Sequence, residues 1–359
     1  MADKKGMTNR ERVEALLRRE RPDRIPSWHL ALGFSTVYTG TAIADYYNKP
    51  AVSLAAQRKT AQDFDGIFMP WMGIATILAW EFGGEIKWPS GDFSQAPTIV
   101  KHPVETIDDV WKLKMPDIKT AGYAPLLLEF ARLSSQERLD NEPFNVTLNP
   151  GSGPFTAAAQ ICGADKFVKW MIKAPDAVHH LLRLAVDYYV EIAKYWKEEF
   201  GTESVLPLIG EPTASNAVIS PEKFAEFALP YFQEYAKKLL DMGYKHAWIH
   251  ICGDHTRNLP HWAKAGFGDP GIYSIAHEMD IEEAATYFPN DIVFGNLEPA
   301  IIQTGTTDEV YEATRKIIEK GKRIKSGFIF SQGCELPPMS PVENVKAMQQ
   351  AVDDFGWYD

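Results

Sequence analysis

Three side chains in this sequence would make a metal site if the fold brought them together. His250-Ile251-Cys252 sets an imidazole and a thiol two positions apart, and Cys334 stands in Gly333-Cys334-Glu335. On an extended strand, residues i and i+2 point to the same face, so His250 and Cys252 share one. Two thiolates and an imidazole form a soft donor set that selects zinc over magnesium or calcium. Three protein donors leave a fourth position open, the arrangement of catalytic rather than structural zinc. On the residues alone a competing reading stays open, in which a buried histidine and two inert cysteines fill core space.

Glu211 and His277 also stand at the ends of apolar runs. Either can supply a fourth ligand or accept a proton, and either can equally serve as a polar group that satisfies loop amides. Cys162 falls in the helical pattern FTAAAQICGADKFVKW and reads as core. His179 and His180 lie in the helix DAVHHLLRL, and His255 and His261 receive no role. Trp28, His29, Phe68, Trp71, Trp80 and Trp88 form an aromatic-rich set, mostly core, with some able to wall a pocket for a flat ligand.

The elements that must position these groups are regular from residue 144 onward. The short apolar runs FNVTLNP, SVLPLIG, HAWIHICG, GIYSIAH, DIVFGNL and GFIFSQG alternate with helical patterns, among them 175–200, 220–243, 307–325 and 341–354. Earlier, Ile25 to Leu32 and Gly66 to Gly73 read as strands, which brings the total to about eight, the count of an α/β (β/α)₈ TIM barrel. A doubly wound sheet would need a Gly-rich phosphate loop after the first strand, and none is present. In a barrel, function sits at the C-terminal strand ends. Here those ends read Gly210-Glu211-Pro212, His250 to Gly253, Ser274 to Glu278, Gly295 to Pro299 and Ser331 to Glu335. The eighth strand returns beside the first, so Cys334 reaches across the mouth.

Around the barrel we expect an N-terminal helical extension, opened by a Thr8/Glu11 capping box, and an inserted β-hairpin in EIKWPSGDFSQAPTIV. Ser220-Pro221 and Ser340-Pro341 predict N-caps followed by first-turn prolines, and Gly201 and Gly243 predict helix ends. Without linkers or repeats, residues 1–359 read as a single TIM-barrel domain. With 48 acidic residues against 37 Lys and Arg, the net charge is −11, which disfavours nucleic acid and suits a partner with a basic docking face. The charged N-terminus lacks a leader pattern and no apolar run is long enough for a bilayer, so a cytoplasmic, reducing location is expected, without membrane contact. There, cysteines tend to be metal ligands or catalytic groups rather than bridges.

Longer stretches resemble a known family. NRERVEALLRRERPDRIP is similar to the opening of the uroporphyrinogen decarboxylase superfamily, ISPEKFAEFALPYFQEY to its mid-chain helix, and GNLEP to a late strand motif. That superfamily is a TIM barrel. Its decarboxylases carry an Arg-rich loop after the first strand and an aspartate after the second. WHLALGFSTVY and IFMPWMG stand there instead, with neither arginine nor acid. Its other branch, the cobamide-dependent methyltransferases, is marked by HxC and a later GC-x-L/I-P-P loop. His250-Ile251-Cys252 and Gly333-Cys334-Glu335-Leu336-Pro337-Pro338 resemble both marks.

The resemblance implies zinc at His250, Cys252 and Cys334. The acid that some members place after the next strand falls near Ala276 to Glu278, around His277. It further implies methyl transfer between a small molecule (a thiol acceptor, or a methoxylated or methylated donor) and corrinoid cobalt. Nothing here resembles the DxHxxG corrinoid-binding signature, so the corrinoid is expected on a separate protein. Two rivals accompany this expectation: a decarboxylase with altered substrate, and a non-catalytic corrinoid- or zinc-binding protein.

Overall fold

The computed structural model describes residues 6–64, 66–67, 69–74, 76–91 and 96–358. A short antiparallel hairpin, β1 (Glu85–Lys87) and β2 (Thr98–Lys101), forms at the predicted insertion. Six parallel strands follow, each beside the next: β3 (Val146–Leu148), β4 (Val205–Gly210), β5 (Trp248–Ile251), β6 (Ile272–Ile275), β7 (Ile292–Leu297) and β8 (Phe328–Gln332). Helices separate them, as parallel connections require.

The ring continues through two early segments that pair more briefly than expected. Phe330 N donates to Pro26 O (2.9 Å) and Trp28 N to Phe330 O (3.0 Å), which sets the first segment beside β8. His29 N to Ile67 O (2.8 Å) and Ile67 N to Ser27 O (2.9 Å) add the second. These bridges correct the expectation of full strands at 25–32 and 66–73. Pro26 and Pro70 lack the N–H a ladder needs. Leu32 already opens a helix, Leu32–Thr39, which the apolar run LGFSTV concealed. Phe68 lies outside the described residues. The architecture is the expected (β/α)₈ barrel with a helical extension and a hairpin insertion.

Local signals elsewhere are mostly met. Thr8 and Glu11 form the capping box, Ser220 caps its helix, and Gly201 and Gly243 end helices at positive φ. The pattern over 220–243 is two helices, Pro221–Phe227 and Leu229–Met242, because Pro230 cannot continue the hydrogen-bond ladder. Ser340 does not cap the last helix. Val342–Phe355 begins after Pro341, and the Ser340 hydroxyl is buried without a partner. Among the described residues, no helix is long and apolar enough to cross a membrane.

Inside the barrel, Leu206, Leu208, Trp248, Ile272, Ile292, Phe294 and Ile329 meet Trp28 and Ile67. Trp28, Trp248 and Phe294 form a three-ring plug, with centroids 5.4, 5.9 and 5.1 Å apart. Each such pair contributes about 0.5–1.5 kcal/mol beyond area burial. Side chains alternate along a strand, so two residues above this plug the inward positions become His250, Ser274, Asn296 and Ser331. The apolar floor thus gives way to a polar layer at the mouth.

Candidate metal centre

His250 and Cys252 leave β5 on its inward face, directly above Trp248. Cys334 follows β8 across the mouth. A ring nitrogen of His250, Sγ of Cys252 and Sγ of Cys334 all lie within 4.8 Å of one another. All three residues are half-buried, and both thiols are free. His250 Nδ1 lies 3.1 Å from Ser274 Oγ, while its Nε2 is buried with no hydrogen-bond partner. Ser274 therefore fixes the ring and leaves Nε2 as the donor atom. The hydrogen bond from the Cys252 thiol, with support from His250, holds Cys334 well below the ordinary thiol range and pushes Cys252 up. The pair thus favours a thiolate on Cys334 over one on Cys252. An orphaned imidazole nitrogen beside such a pair fits a soft cation with an open fourth position.

The turn after β8 is clamped on both sides. A Cβ on Gly333 would stand 2.6 Å from the backbone N of His277, so only glycine lets β8 end against the turn that follows β6. Leu336 N donates to Leu30 O (2.7 Å), and Gly33 N donates to Glu335 Oε1 (2.6 Å). Burial pushes the Glu335 carboxyl up to about 7. Asn296 Nδ2 holds the turn after β6 through Ala276 O (3.1 Å) and Met279 O (2.7 Å).

Neither Glu211 nor His277 joins the three-ligand group. Glu211 is fully buried, and its oxygens accept from Phe155 N (3.0 Å), Thr156 N (3.0 Å) and Thr156 Oγ1 (2.8 Å). It thereby caps the helix Pro154–Cys162. A Cβ on Gly153 would fall 2.0 Å from Glu211 Oε1, so the seat requires glycine. Burial pushes the Glu211 carboxyl up to about 8, and the three hydrogen bonds oppose that rise. His277 stands exposed on the rim, with Nδ1 3.2 Å from Glu278 Oε2.

His255 accepts from Trp262 Nε1 (3.0 Å), and its Nε2 faces Glu211 O (3.1 Å). Burial lowers it to about 4, so it is a neutral strut. Cys162 is buried in its helix, and its thiol is pushed up to about 12. His179 stacks on Phe227 and His180 lies over Trp111, as packing groups do. Trp28 belongs to the barrel plug, and Trp80 and Trp88 pack edge to face beside Tyr123.

Sequence reasoning missed Ser274, Asn296 and Glu335 as supports. Strand alternation sets Ser274 and Asn296 inward, which is the signal that would have found them. Glu335 showed no signal beyond its place next to Cys334.

The family described as uroporphyrinogen decarboxylase (URO-D) matches residues 8–355. The chain is 30% identical over 358 residues to the methylcobamide:CoM methyltransferase MtbA of Methanosarcina acetivorans, covering 97% of this chain and 98% of that one. It is 26% identical over 370 residues to a uroporphyrinogen decarboxylase of Anaeromyxobacter dehalogenans, covering 96% and 99%. A solved methyltransferase structure from Methanosarcina mazei superposes with a TM-score of 0.80 over 97% of this chain and 99% of that one. At 22% identity that likeness shows a shared fold.

Proposed function

The chain belongs to the uroporphyrinogen decarboxylase family, in its branch of cobamide-dependent methyltransferases, and from that premise we propose that it moves a methyl group from the cobalt of a corrinoid, carried by a separate protein, to a small thiol at a zinc held by His250, Cys252 and Cys334. The observation that carries the reading is the meeting of these three ligand atoms within 4.8 Å at the barrel mouth. The relative named methylcobamide:CoM methyltransferase supports the direction and makes coenzyme M the first acceptor to try.

Zinc bound there would supply Lewis acidity, which lowers the pKa of a thiol into the neutral range. The protein's own groups do the rest. Ser274 keeps the His250 Nε2 lone pair directed away from its own hydrogen bond. Cation binding would displace the thiol protons of Cys252 and Cys334, so affinity should rise with pH. The Trp28, Trp248 and Phe294 plug closes the barrel from below, which leaves the mouth as the path for substrate and corrinoid protein. We assign Glu211 a positioning role, since every oxygen contact it makes holds the turn after β3 against the end of β4. His277, on the rim beside Gly333, is assigned as acceptor of the incoming thiol's proton.

Decarboxylation of a porphyrinogen has less support. The segment after the first strand offers no arginine, and its Gly33 amide faces the Glu335 carboxyl. A polycarboxylate entering there would meet an acid.

The test combines metal analysis with spectroscopy. Purified protein should contain one zinc per chain, and Cys252→Ala and Cys334→Ala should lose it. With methylcob(III)alamin, or the cognate corrinoid protein, and coenzyme M, the visible spectrum should change to that of demethylated corrinoid. Cob(I)alamin with methylated or methoxylated compounds tests the opposite direction. Full zinc retention in both variants, or no methyl exchange with cobalt in any combination, overturns the reading.

A further inference from the structure

At the N-terminal end of the barrel, opposite the metal centre, a cavity of about 480 Å³ opens. It lies between the end of the first helix (Asn9–Leu17), the turns that precede β7 and β8, and Tyr358. This volume is in the range of small-molecule sites. Its lining includes Arg19, Arg21, Lys322, Arg323 and Lys325 against a single acid, Glu20. In a chain of net charge −11, such a concentration of cations runs against the average.

Some of these charges are already matched. Arg19 pairs with Asp269, Arg323 lies bidentate on Glu282 (2.7 and 2.9 Å), and Glu20 is held by Arg18. Lys322 and Lys325 have no anionic partner among the described residues. Next to Lys325 in the same wall, the Ser326 hydroxyl is buried with no hydrogen-bond partner. Buried hydroxyls normally find one. Arg19 adds a third sign. Its φ of +60° is the left-handed conformation that follows a helix, where glycine is the usual residue. An arginine there accepts backbone strain and sets a guanidinium at the cavity edge. Arg21 stacks on Tyr358, 4.3 Å from the ring centroid, and Ile324 and Pro22 complete an apolar side.

We propose that this cavity binds a small, multiply charged phosphate ester. Its phosphates are held by Lys322, Lys325 and the Ser326 hydroxyl, and its organic part rests on Tyr358, Ile324 and Pro22. Cation-to-phosphate hydrogen bonds are among the stronger protein contacts, and one orphan hydroxyl beside two free ammonium groups suits them. The site is separate from the methyl-transfer centre. β8 runs from Gly327 at the cavity to the turn that holds Cys334, a span of about 20 Å at 3.3 Å per residue.

Isothermal titration calorimetry on the full chain, at constant ionic strength, tests this with ATP, pyrophosphate and citrate as probes. We expect saturable binding of ATP at one site per chain, with pyrophosphate weaker for want of the apolar contacts and citrate weaker still. The double variant Lys322→Glu/Lys325→Glu should lose about tenfold or more in affinity. Ser326→Ala should lose a smaller factor, and the remote variant Lys173→Glu should lose nothing. Melting curves matching the parent protein establish that the variants fold. Absence of saturable heat overturns the proposal, as does ATP binding that survives the double charge reversal. Citrate binding as tight as ATP overturns the phosphate assignment.

Discussion

His250 Nδ1 and Ser274 Oγ stand 3.1 Å apart on neighbouring strands in direct register. The contact decides which imidazole nitrogen faces the two thiols. Ser274→Ala removes it without removing a ligand atom. Supports of this kind typically change metal affinity by about 10–100-fold. We expect zinc to bind more weakly by that order in competition with a chelator, with an unchanged far-UV spectrum. An affinity equal to the parent's would show that the ring is oriented by something else.

Gly333 brings β8 against the turn after β6. The added methyl of Gly333→Ala meets the His277 backbone N at 2.6 Å, and backbone cannot swing aside as a side chain can. Overpacking of this kind costs about 1–3 kcal/mol. Because the residue precedes Cys334, the shift should also loosen zinc. Gly210→Ala is the control, since a Cβ there meets nothing within 4 Å. Denaturation midpoints and metal content of both variants check the pair of expectations. Equal behaviour would mean that the close approach is not what seats Cys334.

Glu211 sets a pH dependence whose sign can be worked out. Its folded carboxyl is raised to about 8 from the usual value of 4.5, with burial as the largest cause. Below about 4.5 both states are protonated. Between that value and about 8, the folded chain keeps a proton that the unfolded chain has released. Stability therefore falls as pH rises through this window and levels off above it. The slope from this one group is at most about 1.4 kcal/mol per pH unit. Glu211→Gln should flatten it, on top of a constant loss from poorer hydrogen bonding to Phe155 and Thr156. Urea midpoints across pH 5 to 8 give the difference between parent and variant, and a difference that does not change with pH refutes the assignment.

Much of this was legible because it rests on short-range rules. Alternation along β5 set His250 and Cys252 on one face, and the alternation of apolar runs with helices announced the barrel. Its closure could not be read so well. Pro26 and Pro70 reduce two expected strands to bridges, and LGFSTV is as apolar as a strand yet folds as a helix once Gly40 ends it at positive φ. Glu211 stayed open as a ligand, a proton acceptor or a group satisfying loop amides, because strand-end position says nothing of what lies opposite. The folded chain sets its oxygens against Phe155 N, Thr156 N and Thr156 Oγ1. Ser340 failed as a cap for a similar reason, since its hydroxyl is turned into the interior rather than toward the helix.

The opposite directions in which Cys252 and Cys334 are pushed yield a prediction on the metal-free protein. The strongest influence on Cys334 is the hydrogen bond from the Cys252 thiol, and His250 acts in the same direction. These influences favour the thiolate on Cys334 and the protonated thiol on Cys252. Thiolates, not thiols, react with alkylating agents. Iodoacetamide should modify Cys334 of the apo-protein first, at a rate nearly flat between about pH 6 and 8, since an ordinary thiol titrates near 8.5. In Cys252→Ala the donor is gone, so the Cys334 rate should fall at pH 6 and regain a dependence on pH. Zinc should protect both sulfurs in the parent protein. Peptide mapping after timed alkylation identifies the modified residue. If Cys334 in the parent protein titrates like a free thiol, or reacts no sooner than Cys252, the Cys252 thiol does not favour a thiolate on Cys334.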